Sequence, residues 1–219
     1  MAEKKRPRRT RERILETSLA LFNRHGEPHI TTADIADEMN ISPGNLYYHF
    51  RNKDDIIGDL YAAFEAKAMP MFSVPAGRVV DVEDLWLLLH LLFERMWEYR
   101  FLYRDLDELT SRNRKLALRF AELVRRGEAT VLELCRGMVA AGTMRADARE
   151  QAALARNIVI VATYWMSFER ISRASPGRPQ NEEEVRHFER GAYQVLALVA
   201  PFLLGDARRL IEALGERYL

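Results

Sequence analysis

"TTADIADEMNISPGNLYYHFRNK", residues 31–53, holds two helix starts in close succession. Thr31 stands where an N-cap belongs, Asp34 follows in the capping-box position, and Ile30 and Ile35 flank the cap as a hydrophobic staple. The same grammar returns at Ser42: a cap residue, Pro43 at the first helical position where a missing N–H does no harm, and Ile41 with Leu46 as the staple. Only Asn40 and Ile41 lie between the first short helix and the cap of the second. Two short helices meeting at so tight a turn predict a helix-turn-helix, the arrangement whose second helix enters the major groove of DNA.

A count of faces supports this. With Leu46 and Phe50 at i and i+4 turned inward, a step of about 100° per residue places Tyr48 and Gly44 nearly opposite the core, Asn45 and Tyr47 on the flanks, and His49 nearer the core edge. Any one of Tyr47, Tyr48 and His49 fits a small core with its polar tip in water. All three together do not, because a two-turn helix buries one face. The set suits DNA: Gly44 lets the backbone approach bases, the tyrosines offer hydroxyls to phosphates and ring faces to thymine methyls, and His49 and Thr31 can hold phosphates. Lys53 adds a cation beside helix-terminal N–H groups, and Asp54 and Asp55 are expected to point away from the strand.

Outward from this segment the apolar spacing is helical almost throughout, with no sustained strand-like alternation. A first helix is predicted from Arg8 to His25, with Ile14, Leu15, Ser18, Leu19 and Phe22 on one face and Gly26 as its stop. A fourth is capped by Asn52 with Asp55 in the box position, and Pro70 and Pro75 close it. "PMFSVPAGRVVD" reads as a linker. Further helices are expected at 81–99, 101–110, 112–141, 147–173 (with Asp147 and Glu150 as a capping box), 182–203 and 206–217, and "SRASPGRPQN" as a loop. The expected fold is all-α, with a domain over 1–55 carrying the helix-turn-helix and a larger helical domain over 56–219.

Composition narrows the class. The 219 residues are 48% hydrophobic, enough for a sizeable core. One cysteine, Cys135, excludes an internal disulfide framework and a cysteine-based zinc cluster, and its apolar neighbours predict a buried, inert thiol. The N-terminus is charged rather than apolar, and the longest dense apolar run, LWLLLHLLF, has nine residues where a membrane span needs roughly 18. A soluble protein of the cytoplasm is expected, without membrane association. Net charge is +1, but residues 4–13 hold seven basic side chains against the single acid Glu12. No metal or cofactor site is expected, and no catalytic residues: the five histidines are scattered, and no HExxH, CxxC or Gly-rich phosphate loop is present.

"TTADIADEMNISPGNLYYHFRNKDDII" resembles the DNA-binding segment of TetR-type transcriptional repressors, over about residues 8–65. The resemblance implies DNA contacts from Thr31, Ser42, Pro43, Gly44, Asn45, Tyr47, Tyr48, His49 and Lys53, and from Arg8 and Arg9 within a basic arm along the minor groove. It implies that the larger half binds a small effector and dimerises through the helices near 147–173 and 182–203, where Leu154, Ile158, Val161 and Trp165, then Val185, Phe188, Ala192, Val195 and Val199, form apolar stripes. "YRFLYRDLDEL" resembles the same region in a subgroup of these repressors. Trp86, His90, Phe93, Trp97, Tyr103, Tyr164, Trp165 and Phe168 are the residues expected around an apolar or amphipathic organic effector, or else ordinary core. The implied function is a ligand-responsive regulator, a repressor binding a palindromic operator in double-stranded DNA as a homodimer. A DNA-binding regulator without ligand control and a helical enzyme are the alternatives.

Overall fold

The computed structural model describes residues 7–74, 78–172 and 184–218, with the side chains of 7–8 and 184–189 outside it. Lys4, Lys5, Arg6, Pro75, the loop at 173–181 and the Arg8, Val185 and Phe188 side chains therefore lie outside the described residues. Among the described residues the backbone is helical, with one isolated antiparallel bridge between Met144 and Leu203. The helices are α1 (Pro7–His25), α2 (Thr32–Glu38), α3 (Pro43–His49), α4 (Lys53–Ala68), α5 (Val82–Glu98), α6 (Phe101–Arg104), α7 (Leu106–Arg112), α8 (Arg114–Ala140), α9 (Ala148–Ser172), α10 (Glu184–Val199) and α11 (Gly205–Gly215).

Local rules account for most of the boundaries. Asp147 and Glu150 form the expected box at α9: Glu150 N–H donates to Asp147 Oδ1 at 2.9 Å, and Asp147 N–H to Glu150 Oε2 at 2.7 Å. Asp81 and Asp84 do the same for α5, at 3.1 and 3.0 Å. At α4, Asn52 caps the Asp55 N–H at 2.9 Å, but the Asp55 carboxylate accepts from Arg51 N–H instead of closing the box. The helix predicted over 101–110 is broken into α6 and α7 at Asp105, whose carboxylate is drawn away to accept the Glu27 N–H at 3.0 Å.

The chain forms two compact units, which do not divide at 55/56. The first comprises Met1–Ala66 together with Tyr99–Leu118. Its core holds Ile14, Phe22, Ile35, Leu46, Phe50, Ile56, Ile57, Tyr61 and Phe64 from α1–α4, with Phe101, Leu102 and Tyr103 from α6. The Phe22 and Phe101 rings lie 5.2 Å apart, and Phe64 meets Tyr99 at 5.7 Å and Tyr103 at 5.8 Å. Polar contacts join the same segments. Phe101 N–H donates to Asn23 Oδ1 at 3.1 Å, and the Arg104 guanidinium donates to the carbonyls of Phe22 and Asn23 in the last turn of α1, the first of which also accepts the Gly26 N–H at 3.0 Å.

The second unit comprises Lys67–Glu98 and Arg119–Leu219. Here α5 is central, burying Val82, Leu85, Leu88, Leu89, Phe93 and Met96. Cys135 is buried on α8, and burial pushes its thiol up to about 11, which keeps it protonated and unreactive. Leu154 and Ile158 of α9, with Ala192, Val195 and Val199 of α10, are buried within the unit itself. These five positions of the stripes therefore belong to the core of one chain, while Val161 and Trp165 are half-buried. The apolar surface that α9 does expose runs along another face: Ile160, Tyr164, Phe168 and Ile171, spaced i, i+4, i+8 and i+11.

Gly191 sets the spacing of α10. A Cβ there would lie 2.5 Å from Trp165 Cδ1 and 2.9 Å from Phe93 Cε1, distances that require both rings to move. Gly191→Ala is expected to destabilise the protein by about 1–3 kcal/mol through overpacking, read as a lower midpoint in chemical denaturation with an unchanged slope.

Candidate nucleic-acid interface

The surface of α2 and α3 is built by three adjacent capping devices. Thr31 Oγ1 accepts the Asp34 N–H at 3.2 Å while Asp34 Oδ2 receives the Thr31 N–H and hydroxyl, both at 2.7 Å. These hydrogen bonds, the hydroxyl's first, hold the Asp34 carboxyl below the usual aspartate range. The Thr31 hydroxyl proton is thus used inside the cap rather than presented outward. Between the helices Asn40 takes φ 54°, Ile41 N–H donates to Ala36 O at 3.0 Å, and Asn40 N–H to Asp37 O at 3.0 Å. That is a Schellman closure with asparagine in the left-handed position. Ser42 Oγ then accepts the Asn45 N–H at 3.2 Å and starts α3.

The faces of α3 separate cleanly. Leu46 is fully buried and Phe50, its C-cap, is buried beside it, while Ser42, Pro43, Gly44 and Asn45 are exposed. Tyr48 is 79% exposed and Tyr47 51%. His49 is half-buried, its ring edge-on to Tyr48 at 5.1 Å. Tyr47 Oη is hydrogen-bonded to Thr32 Oγ1 at 3.0 Å, so the first residue of α2 fixes the tip of a tyrosine on α3. Thr32 was missed in the sequence because the contact spans fifteen positions and two helices.

One expectation about charge changes, at Lys53. Arg8 and Arg9 stand in the first turn of α1, as a helix start at Arg8 implies, and the helix begins one residue earlier at Pro7, a residue preset for that position. Arg9 and Arg11 are exposed, and the Arg11 guanidinium lies 4.4 Å over the Phe50 ring and pairs with Asp59. Lys53 is directed inward: its ammonium donates to Glu27 O at 3.0 Å and Ile30 O at 2.8 Å and pairs with Glu27 Oε1 at 2.7 Å, which uses all three protons. Arg112 of α7 reaches the same Glu27 oxygen at 2.6 Å and lies 3.5 Å from Asp54.

The residues expected around an effector are divided between the two units. Tyr103 belongs to the first unit, buried against Phe64, and burial followed by the neighbouring Tyr61 holds its phenol well above the usual range. Tyr164 and Phe168 face outward on α9, because the inward positions of that helix are filled by Leu154, Ile158 and Ala162. Phe93 and Trp165 meet at Gly191, and Trp97 is half-buried. Trp86 and His90 both point at the hydroxyl of Tyr218, at 3.0 and 2.9 Å.

A capped helix pair with an exposed, aromatic second helix defines a helix-turn-helix DNA-binding protein. A model of bacterial regulatory proteins of the tetR family matches residues 14–60, and a model described as a bacterial transcriptional repressor, TetR, matches residues 63–211. The chain belongs to the TetR family of transcriptional regulators and is a regulator, not an enzyme. The structure of a TetR-family transcriptional regulator from Marinobacter aquaeolei VT8 is 35% identical, with a TM-score of 0.83, covering 95% of this chain and 98% of that one. The transcriptional repressor KstR2 of Mycobacterium tuberculosis is 37% identical over 54 residues, 25% of this chain and 27% of its own. The matches to curated relatives thus span about a quarter of their length. A regulator from Saccharomonospora viridis in complex with choline shares the fold at a TM-score of 0.63 and 18% identity, covering 90% of this chain and all of the other. No helix among the described residues is long and apolar enough to cross a membrane.

The inward Lys53 gives this region its clearest stability test. Lys53→Ala leaves a buried carboxylate and two carbonyls short of a donor, and is expected to cost about 2–3 kcal/mol. Equilibrium denaturation checks it: a lysine acting only on phosphates leaves the unfolding free energy unchanged.

Proposed function

We propose that the protein represses transcription in the cytoplasm by binding a palindromic operator as a homodimer, and that a small apolar or amphipathic organic effector held in the second unit releases it. The observation that carries the DNA reading is Tyr48. It is 79% exposed on a seven-residue helix whose opposite face, Leu46, is wholly buried, so the ring has no place in the core and touches only the edge of His49 among the ring contacts of the described residues. Ser42, Pro43, Gly44, Asn45 and Tyr47 share the exposed surface and His49 borders it. In this reading their backbone and side chains meet base edges and phosphates, with Thr31 and Arg9 at the margins. Arg8 and Arg9 in the first turn of α1, with no acid there, suit a phosphate better than they suit the helix dipole. Lys53 contributes by holding the turn before α2 rather than by touching DNA.

The homodimer rests on the α9 surface. Ile160, Tyr164, Phe168 and Ile171 form one apolar stripe with the last 72% exposed, a surface a second copy can cover. Two-fold pairing sets two recognition helices about 34–36 Å apart, or a multiple of that, to enter successive major grooves. An effector that favours another spacing shifts the population off DNA without touching α3. The choline-bound fold relative supports small-molecule binding as a use of this architecture.

Two measurements test the proposal. Tyr48→Ala is expected to lose about tenfold or more in affinity for an operator selected from random duplexes, with the helical signal and oligomeric state unchanged; unaltered affinity in a gel shift sinks the assignment of α3. Phe168→Glu is expected to give a monomer in sedimentation velocity that no longer retards the operator. A dimer that persists places the interface elsewhere.

A further inference from the structure

One polar file interrupts the apolar surface of α5: Trp86, His90 and Glu94, spaced i, i+4 and i+8. The indole and imidazole rings are stacked, 5.2 Å apart and within 14° of parallel. Both rings aim a nitrogen at a single atom, Tyr218 Oη, Trp86 Nε1 from 3.0 Å and His90 Nδ1 from 2.9 Å. His90 Nε2 lies 3.6 Å from Glu94 Oε1; the indole N–H can only donate to Tyr218 Oη, which leaves the phenol's own proton for the neutral imidazole. Nδ1 is then an acceptor. The Tyr218 hydroxyl accepts from the indole and donates to the imidazole, so both roles of a phenolic oxygen are met by fixed partners.

This is what recognition of a phenol requires: one donor and one acceptor converging on the oxygen, flat rings beside it, and little water, since Tyr218 is 9% exposed. The group that fills it rides on a short support, the 3-10 turn Glu216–Tyr218 that follows α11. Apolar packing accounts for a ring at position 218 but not for the hydroxyl. A phenylalanine there would leave the indole N–H and the imidazole nitrogen without their protein partner at a part-buried site.

We propose that Trp86 and His90 form a binding subsite for phenolic molecules, which the chain occupies with its own Tyr218 until a free hydroxylated aromatic displaces it. The inference rests on the reading of the second unit as effector-binding and names the chemical class for it. Displacement has a route onward. It frees the turn at Glu216–Tyr218 and with it the end of α11, where a Cβ on Gly215 would stand 3.5 Å from the Tyr193 ring of α10. A tethered group competes at an effective concentration of the order of millimolar. The unaltered protein should therefore bind a simple phenol weakly, and removing the tethered competitor should tighten binding.

The test titrates p-cresol, the tyrosine side chain as a free molecule, into the full-length protein while following the Trp86 indole N–H resonance, assigned by its loss in Trp86→Phe. Tyr218→Phe and Tyr218→Ala are each expected to bind p-cresol about tenfold or more tightly than the unaltered chain. Toluene, which lacks only the hydroxyl, should bind them about tenfold more weakly than p-cresol does. Tyr218→Phe keeps the ring and so remains informative if Tyr218→Ala is poorly folded. An indole signal that p-cresol leaves unmoved in Tyr218→Phe, or that toluene moves as readily, overturns the subsite. Operator retardation in the same titration separates the two readings: an indole shift with the operator still bound keeps the subsite and removes the effector role.

Discussion

A carboxylate taken wholly out of water holds the DNA-binding unit together. Glu27 is fully buried in the turn between α1 and α2, and an ion in that position is tolerable only with opposite charge and donors supplied in close geometry. Lys53 from the start of α4 and Arg112 from the end of α7 both reach Oε1, while Oε2 has no hydrogen-bond partner among the described residues. The same lysine ties down the carbonyls of Glu27 and Ile30, and Asp105 receives the Glu27 N–H. One buried charge thus fixes the turn that leads into Thr31, and through it the direction in which α2 and α3 leave the core. Such pairs contribute little net stability compared with apolar packing. Their effect is geometric, since a shift of α4 or α7 that separates the charges strands an ion in the interior.

The network also explains why residues 99–118 join the first unit although they lie between α5 and α8 in the chain. Arg104, Asp105 and Arg112 each bind the end of α1 or the turn after it, and Phe101 and Tyr103 supply rings to its core. The stretch that resembles a subgroup of TetR-type repressors, "YRFLYRDLDEL", is therefore a structural complement of the helix-turn-helix. Its aromatic residues have their explanation in packing.

What could be read from the sequence follows the range of the interactions. Caps at Thr31, Ser42, Asn52 and Asp147 act over three or four residues, and each is where the spacing put it. The division of α3 into Leu46 and Phe50 against the exposed tyrosines follows from helix period alone. Lys53 could not be read, because its partner is Glu27, twenty-six positions earlier; by local rules a lysine at a helix start is a free cation. The same limit hid Thr32 behind Tyr47 and Tyr218 behind His90, separations of 15 and 128 positions. Aromatic composition was the weakest guide: Tyr103, Tyr164 and Trp165 look alike in the sequence, yet one is in the first core, one faces outward and one closes on a glycine.

Gly191 explains why the outward stripe on α9 is where it is. With no side chain on α10 at that point, Trp165 and Phe93 crowd its backbone, and α9 and α10 pack closely along Leu154, Ile158, Ala192, Val195 and Val199. Small residues and inward apolar positions are thereby used up inside one chain. Ile160, Tyr164, Phe168 and Ile171 are left exposed on α9, with nothing among the described residues to cover them. A helix that is apolar on two faces has its second face explained only by a second surface. On the proposed reading as a symmetric dimer, another copy of the same face would meet that requirement with no further partner.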